Sequence, residues 1–341
     1  AAGDSGRPPK RFRTRTCPNA YAWIVERGAE LLKRDGRFGM IVPVSAVSGP
    51  EYAPLRDLFH SRPLWVSTYS NRPAKLFDGV EQRLALLLAG PEGETTRHAS
   101  PYQHWYEAER PHLFDRLAYT RASLWPPTGA PIKSGHPLAE SVFRKLHTHA
   151  ARLPHLSPPT PVPTATPNPQ ASGPAVWLHD GPTYWVRALS FPPAATPGAG
   201  SAHYHRIPVA DQETARVLAA ILSSAHFYFF FKMVSNCRDL GRRIWSEFPI
   251  NPLLPERWHA LADMGEALEH RLRETAAQRR RIYPGGPVTY AEYYPARARD
   301  LIDRIDTLLA EHYGLTAEEL RYLLAYDQKY RGAAPGTGPR P

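Results

Sequence analysis

A chain of 341 residues with an apolar fraction of 42% has room for two domains and enough side chains to fill their cores. Lysine and arginine outnumber aspartate and glutamate by 42 to 32, a formal charge of +10 that favours a polyanionic partner. Cys17 and Cys237 are too few for a disulfide framework or a cysteine-rich zinc site, and they suit a reducing cytoplasm.

Residues 1–18 are rich in Gly, Pro and Arg and have no apolar core, so they read as disordered or as a connector and not as a signal peptide. From Asn19 to Lys33 the apolar positions Tyr21, Ile24, Val25, Gly28, Leu31 and Leu32 fall at helical spacing. The spacing predicts a helix closed at Asp35-Gly36, with glycine in the left-handed conformation. Arg37 to Pro43 is a continuous apolar run, expected to be a strand buried on both faces. A helix around Tyr52 to His60, a strand from Leu64 to Ser70, a loop from Asn71 to Val80 and a strand from Glu81 to Gly90 follow. A helix feeding three strands reads as the second half of a doubly wound, Rossmann-like α/β sheet.

Particular residues in this stretch carry a resemblance. Asn19 and Tyr21 stand in an Asn-x-Tyr helix, Val42-Pro43 ends the next strand, and Leu76-Phe77-Asp78-Gly79-Val80 precedes the run Gln82 to Leu88. The pattern resembles the second half of the catalytic domain of TaqI-type, gamma-class DNA adenine methyltransferases, including the fused type IIG restriction enzymes. The resemblance implies that residues 19–98 form the C-terminal half of a class I methyltransferase sheet whose last strand is antiparallel. It further implies S-adenosylmethionine as methyl donor, double-stranded DNA as partner, Phe77 as the ring that stacks on an adenine rotated out of the duplex, and Asn19 and Tyr21 on the donor side.

Two family motifs are missing from the sequence. None of the Pro-Pro pairs (Arg7-Pro-Pro-Lys10, Trp125-Pro-Pro-Thr128, Ser157-Pro-Pro-Thr160, Phe191-Pro-Pro-Ala194) has an amide or acid before it and an aromatic after it, and no glycine-rich turn follows a strand. The expectation is a fragment or the downstream half of a split gene, inactive alone; in the second case a separate chain supplies the N-terminal methyltransferase half. By type alone, Phe77 reads as core packing, Asn19 as a helix cap and Tyr21 as a core contact. Arg72 and Lys75 flank the Phe77 loop and are candidates for phosphate contact.

Residues 99–331 lose the α/β rhythm and read as a separate α+β domain. A Pro-rich loop at 147–175 is expected to be exposed and partly disordered. Short β-like runs at 175–178, 183–188 and 203–207 lead to a single helix from Asp211 to Val234. Ser223, Ser224, His226 and Lys232 interrupt that helix, which favours a buried element and not a membrane span. The polar segment from Ser235 to Ile244 and Phe248-Pro-Ile-Asn-Pro252 resemble the target-recognition domains of type I and type IIG systems; Asn236, Arg238, Arg242 and Arg243 are the DNA-reading candidates there. His203 and His205 share a strand face, but the sequence offers them no third metal ligand. A long charged helix at 256–282, another at 298–313, a capping box at Thr316–Glu319 and a disordered tail at 332–341 complete the chain. Two other classes stay open: a non-catalytic DNA-binding specificity module scaffolded by the half-sheet, and a methyltransferase-like fold acting on a small molecule.

Overall fold

The structure is a computed structural model and describes residues 10–156, 173–182, 184–194, 203–283 and 286–331. Its contacts divide it into two compact units, one within residues 1–140 together with 232–236, the other within 141–231 and 237–341.

The first unit is built on a five-stranded sheet. Helix α1 (Tyr21–Glu30) precedes β1 (Phe38–Pro43); a short helix α2 (Ala53–Asp57) precedes β2 (Leu64–Tyr69); then come β3 (Leu84–Ala89), β4 (Arg97–Gln103) and the two-residue β5 (Thr120–Arg121). The order across the sheet is β1-β3-β2-β4-β5. Strand β3 lies antiparallel to β1 and β2, pairing Met40 with Leu87 and Leu87 with Val66, and β4 runs parallel to β2. The change of texture expected at about residue 98 therefore falls inside a strand.

Alternation explains the burial of this sheet. Val42, Ala85, Leu87, Leu64 and Val66 share the face that is buried; Phe38, on the same face, meets Phe59, their ring centroids 5.2 Å apart. On the opposite face Ile41 and Leu88 are exposed. The expectation that β1 is buried on both sides is thus corrected: it is an edge strand among the described residues, and one of its faces lies open.

The helix also ends earlier than its periodicity suggests. α1 stops at Glu30, and Gly36 is not among the positive-φ glycines. What shapes the following turn is Arg62, 5% exposed, whose guanidinium donates to the carbonyls of Lys33, Gly36 and Gly90. A buried guanidinium needs acceptors, and this turn supplies them. Residues 10–18 form no loose connector either. The N–H groups of Arg13 and Thr14 and the Thr14 hydroxyl all donate to the buried Glu26 carboxylate, at 2.8, 2.8 and 2.6 Å. Burial by itself would raise that carboxyl's pKa; these donors hold it below the usual range. Residues 1–9, the disordered tail expected at 332–341 and most of the Pro-rich loop (157–172) lie outside the described residues.

The boundary between the units falls within helix α3 (Pro137–His147), whose residues 141–147 open the second unit, and a three-stranded antiparallel sheet follows. Strand β6 (Ala175–His179) lies in its centre, flanked by β7 (Ala188–Leu189) and β8 (Tyr204–Pro208). Against it packs α4 (Gln212–Ser223), capped by Asp211, which accepts from Thr214 N–H at 2.7 Å. The single helix expected from 211 to 234 is two, because α5 (Ala225–Val234) turns away by 58° at Ser224. No single helix among the described residues is long and apolar enough to cross a membrane, although this bent pair together has the length and composition.

The bend is stabilised by Asp306 of α8 (Arg299–Tyr313). Its Oδ1 accepts from Ala225 N–H at 2.8 Å and lies 2.9 Å from His226 Nδ1, with both side chains fully buried. An acid there satisfies the first amides of α5 and faces the positive end of its dipole.

Short α6 (Arg242–Ser246) and long α7 (Pro255–Glu274) follow. The charged helix expected to reach 282 stops eight residues short, and the chain enters a two-stranded ribbon, β9 (Ala277–Tyr283) and β10 (Gly286–Glu292). The capping box opens α9 (Ala317–Ala325), as the sequence predicts. Glu319 also takes hydrogen bonds from Lys145 and Ser141 at 2.7 Å each. Burial would raise this carboxyl, but those bonds outweigh it and hold Glu319 at about 2. A depressed acid stabilises the fold above its unfolded value. Its contribution should fade as pH falls from about 4.5 towards 2, and Glu319→Gln should flatten that part of the stability profile in urea melts. An unaltered profile would rule out the linkage.

Candidate nucleic-acid site

The site begins with the loop between β2 and β3, and the question for it is what keeps Phe77 out of the core. The loop is tied at both ends and in the middle. Ser70 N–H donates to the Gln103 carbonyl at 2.9 Å, Ala74 N–H to the Trp105 carbonyl at 3.1 Å, and the Asn71 amide to the Glu81 carbonyl at 2.8 Å. Arg110 donates to the carbonyls of Lys75 and Leu76. Leu76 packs with the buried Tyr69, Ala74, Trp105 and Leu113, so the apolar requirement of the loop is met one residue before Phe77. Phe77 itself is left 45% exposed. Its type alone suggested core packing; its environment does not.

Two residues missed by the sequence reading hold this loop from below. The Arg72 carbonyl lies 3.0 Å from His104 Nδ1, and the His104 Nε2 lies 3.0 Å from Lys232 Nζ. A carbonyl can only accept, so Nδ1 carries the proton and Nε2 offers its lone pair to the ammonium. Lys232 also lies 4.9 Å from the centre of the Tyr102 ring. A lysine in a phenylalanine-rich helix is itself a signal, because its charge has to find partners once buried. His104→Ala should therefore loosen the Phe77 loop, raising amide exchange at residues 72–79 while leaving the sheet protected. Uniform protection in the variant would show that the strand contacts suffice.

Of the flanking cations, Arg72 is exposed, whereas Lys75 is ion-paired with Glu81, which suits it poorly for open phosphate contact. Asn19 does not cap α1. Its amide donates to the Tyr52 hydroxyl at 2.6 Å, and Tyr52 in turn stacks on Tyr21 with ring centroids 5.5 Å apart. Burial, followed by the Tyr52 hydroxyl, pushes the Tyr21 phenol well up, so it stays neutral. The structure therefore brings Asn19 and Tyr21 together around one buried ring.

In the region expected to read DNA, Asn236 belongs to the first unit, while Arg238, Arg242 and Arg243 belong to the second. Arg238 pairs with its neighbour Asp239 at 3.6 Å. Arg242 and Arg243 open α6 with exposed side chains that make no hydrogen bond or ion pair among the described residues. Cys237 turns the chain through a left-handed conformation, φ +59°, ahead of them. His203 lies 3.7 Å from Asp180 and near His179, whose pKa is depressed to about 3 by burial first and then by Arg187 and the two neighbouring histidines. No group of three metal-ligating side chains forms among the described residues.

No family model matches this chain, and no curated protein matches it. Among solved structures it is similar to the cryo-EM structure of a DrdV–DNA complex at 9% identity and a TM-score of 0.38, covering 92% of this chain and 51% of that one. It is also similar to the ATP-dependent type ISP restriction-modification enzyme LlaBIII bound to DNA, at 8% identity and a TM-score of 0.34, covering 94% and 35%. The chain thus spans about half the length of the first and about a third of the second. Both scores are too low to establish a shared fold.

The feature hardest to infer from sequence is the ribbon of β9 and β10, which carries three successive arginines, Arg279, Arg280 and Arg281. The signal for it is the sequence Pro284-Gly-Gly-Pro287 between β-rich runs.

Proposed function

We propose that the chain is the C-terminal portion of an S-adenosylmethionine-dependent N6-adenine DNA methyltransferase from a restriction-modification or phage-defence system, with double-stranded DNA as its partner. The observation that carries this reading is Phe77: a large ring on a tightly tied loop, left nearly half exposed where core packing was available one residue earlier. A base removed from the stack needs such a ring to lie against, because extrusion sacrifices its stacking in the duplex. The antiparallel β3 lodged between β1 and β2 supports the same reading, since the resemblance calls for an antiparallel strand at this point of the chain; it is not the last strand as the resemblance has it, because β4 and β5 follow it in the same sheet.

For the methyl donor the fit is poor. The Asn19 amide is committed to Tyr52 and the Tyr21 ring is stacked on it, so these two residues offer S-adenosylmethionine no cradle among the described residues. The donor is assigned instead to an N-terminal methyltransferase half that carries the glycine-rich and Asn-Pro-Pro-aromatic motifs. β1 ends the sheet among the described residues, and that edge suits the addition of further strands, while Ile41 of β1 and Leu88 of β3, exposed on the uncovered face, suit a covering layer. The residues this chain contributes are Phe77 as the stacking wall and Arg72, Arg242 and Arg243 as contacts to the duplex.

The test is adenine methylation of plasmid DNA by this chain with and without a protein bearing the glycine-rich and Asn-Pro-Pro-aromatic motifs. Methylation only in the mixture is the expected result; duplex binding without methylation in any mixture would leave a specificity module. Arg242→Ala should weaken duplex binding and lower the salt dependence by about one counterion. Equal affinity at several salt concentrations would remove Arg242 from the interface.

A further inference from the structure

We propose that the ribbon formed by β9 and β10 enters the major groove of duplex DNA and is a second, independent contact surface. This inference rests on the reading that the chain binds DNA, and it assigns a partner to an element whose first strand the sequence predicts as the end of a helix.

Three observations point to it. First, the base of the ribbon is locked. Arg279 donates to Glu292 at 2.9 Å and to the Tyr294 hydroxyl at 2.8 Å, that hydroxyl donates to Glu292 at 2.6 Å, and Ala291 N–H donates to the Ala194 carbonyl at 2.9 Å. Second, one face beyond this lock is presented to solvent. The register puts Gln278, Arg280 and Ile282 on the same face as Pro287 and Thr289, and all five are exposed. Ile282 reaches 85% exposure, and Arg280 makes no hydrogen bond or ion pair among the described residues. Third, the charge is one-sided: Arg279, Arg280 and Arg281 stand against a single acid, Glu292.

An isoleucine and an arginine side by side on an open ribbon face, without partners among the described residues, match what duplex DNA presents. A two-stranded ribbon fits the width of a B-form major groove. There an arginine can bond a phosphate or the O6/N7 edge of guanine, a glutamine the N6/N7 edge of adenine, and an aliphatic side chain the thymine methyl. The deep, narrow major groove of A-form RNA does not admit such an element.

The test uses the full chain and a mixed-sequence DNA duplex labelled with fluorescein, titrated at a series of KCl concentrations. Arg280→Ala is expected to weaken binding about fivefold or more, or to reduce the salt slope by about 0.9 if its contact is to a phosphate. Ile282→Ser, at a site too exposed to affect folding, should weaken binding without changing the slope. If the wild-type chain binds no duplex, this inference and the proposed function fall together. If it binds, and Arg242→Ala weakens it while Arg280→Ala and Ile282→Ser leave affinity and slope unchanged, the ribbon inference alone is overturned. An RNA duplex that competes as well as the DNA duplex would overturn the major-groove assignment.

Discussion

Phe77→Ala, tested in the reconstituted enzyme, is expected to reduce adenine methylation far more than it reduces duplex binding. Stacking of a base on an aromatic side chain is worth about 1–3 kcal/mol, which corresponds to a loss of about 5- to 150-fold in turnover of the extruded adenine. Binding of the intact duplex involves no such contact and should change little. The substitution is also cheap for the fold, because Phe77 is 45% exposed and its neighbour Leu76 makes the core contact. Phe77→Tyr and Phe77→Trp preserve a stacking face and should recover most of the rate. Equal methylation by Phe77→Ala and wild type would eliminate the stacking role, whatever the binding data show.

Asp306→Ala should be the most damaging single change to stability. It leaves the Ala225 N–H and His226 Nδ1 without their acceptor in a fully buried setting, and removes the charge that faces the N-terminus of α5. Breaking a buried pair of this kind costs about 3–5 kcal/mol. In a unit of this size that corresponds to a fall in Tm of roughly 10 °C. Asp306→Asn keeps an oxygen acceptor and should lose distinctly less. A calorimetric scan in which Asp306→Ala melts with wild type would mean that the α4–α5 bend is held by packing alone.

The parts of the fold legible in the sequence were those whose local pattern and tertiary environment agree. The apolar runs at Arg37–Pro43 and Glu81–Gly90 became β1 and β3, and the capping box at Thr316–Glu319 opened α9. The open face of β1 was not legible, because a run of apolar residues says that neighbours are suitable, not that they are present. The break at Ser224 depends on an acid eighty-two residues later, at Asp306, which no window of local sequence contains. The ribbon was missed because Gln278-Arg-Arg-Arg281 are strong helix formers whose preference is overridden by cross-strand pairing. For the site, Phe77 was legible through a motif, while the His104–Lys232 support beneath its loop joins residues 128 positions apart and could be seen only in three dimensions.

The five residues 232–236 group with the first unit although the chain on either side of them belongs to the second. Buried Lys133 shows what depends on this return: its ammonium donates to the carbonyls of Met233 and Ser235, at 3.1 and 2.6 Å. A polypeptide ending at residue 140 would take these two acceptors from that charge, and one beginning at 141 would carry the returning segment without its host. The backbone therefore crosses between the two units three times, so a single proteolytic cut would not release either as an intact module. Exchange of the second unit between related proteins, by recombination or by design, would have to take it as two segments, replacing 141–231 and 237 onwards while keeping 232–236 with the recipient.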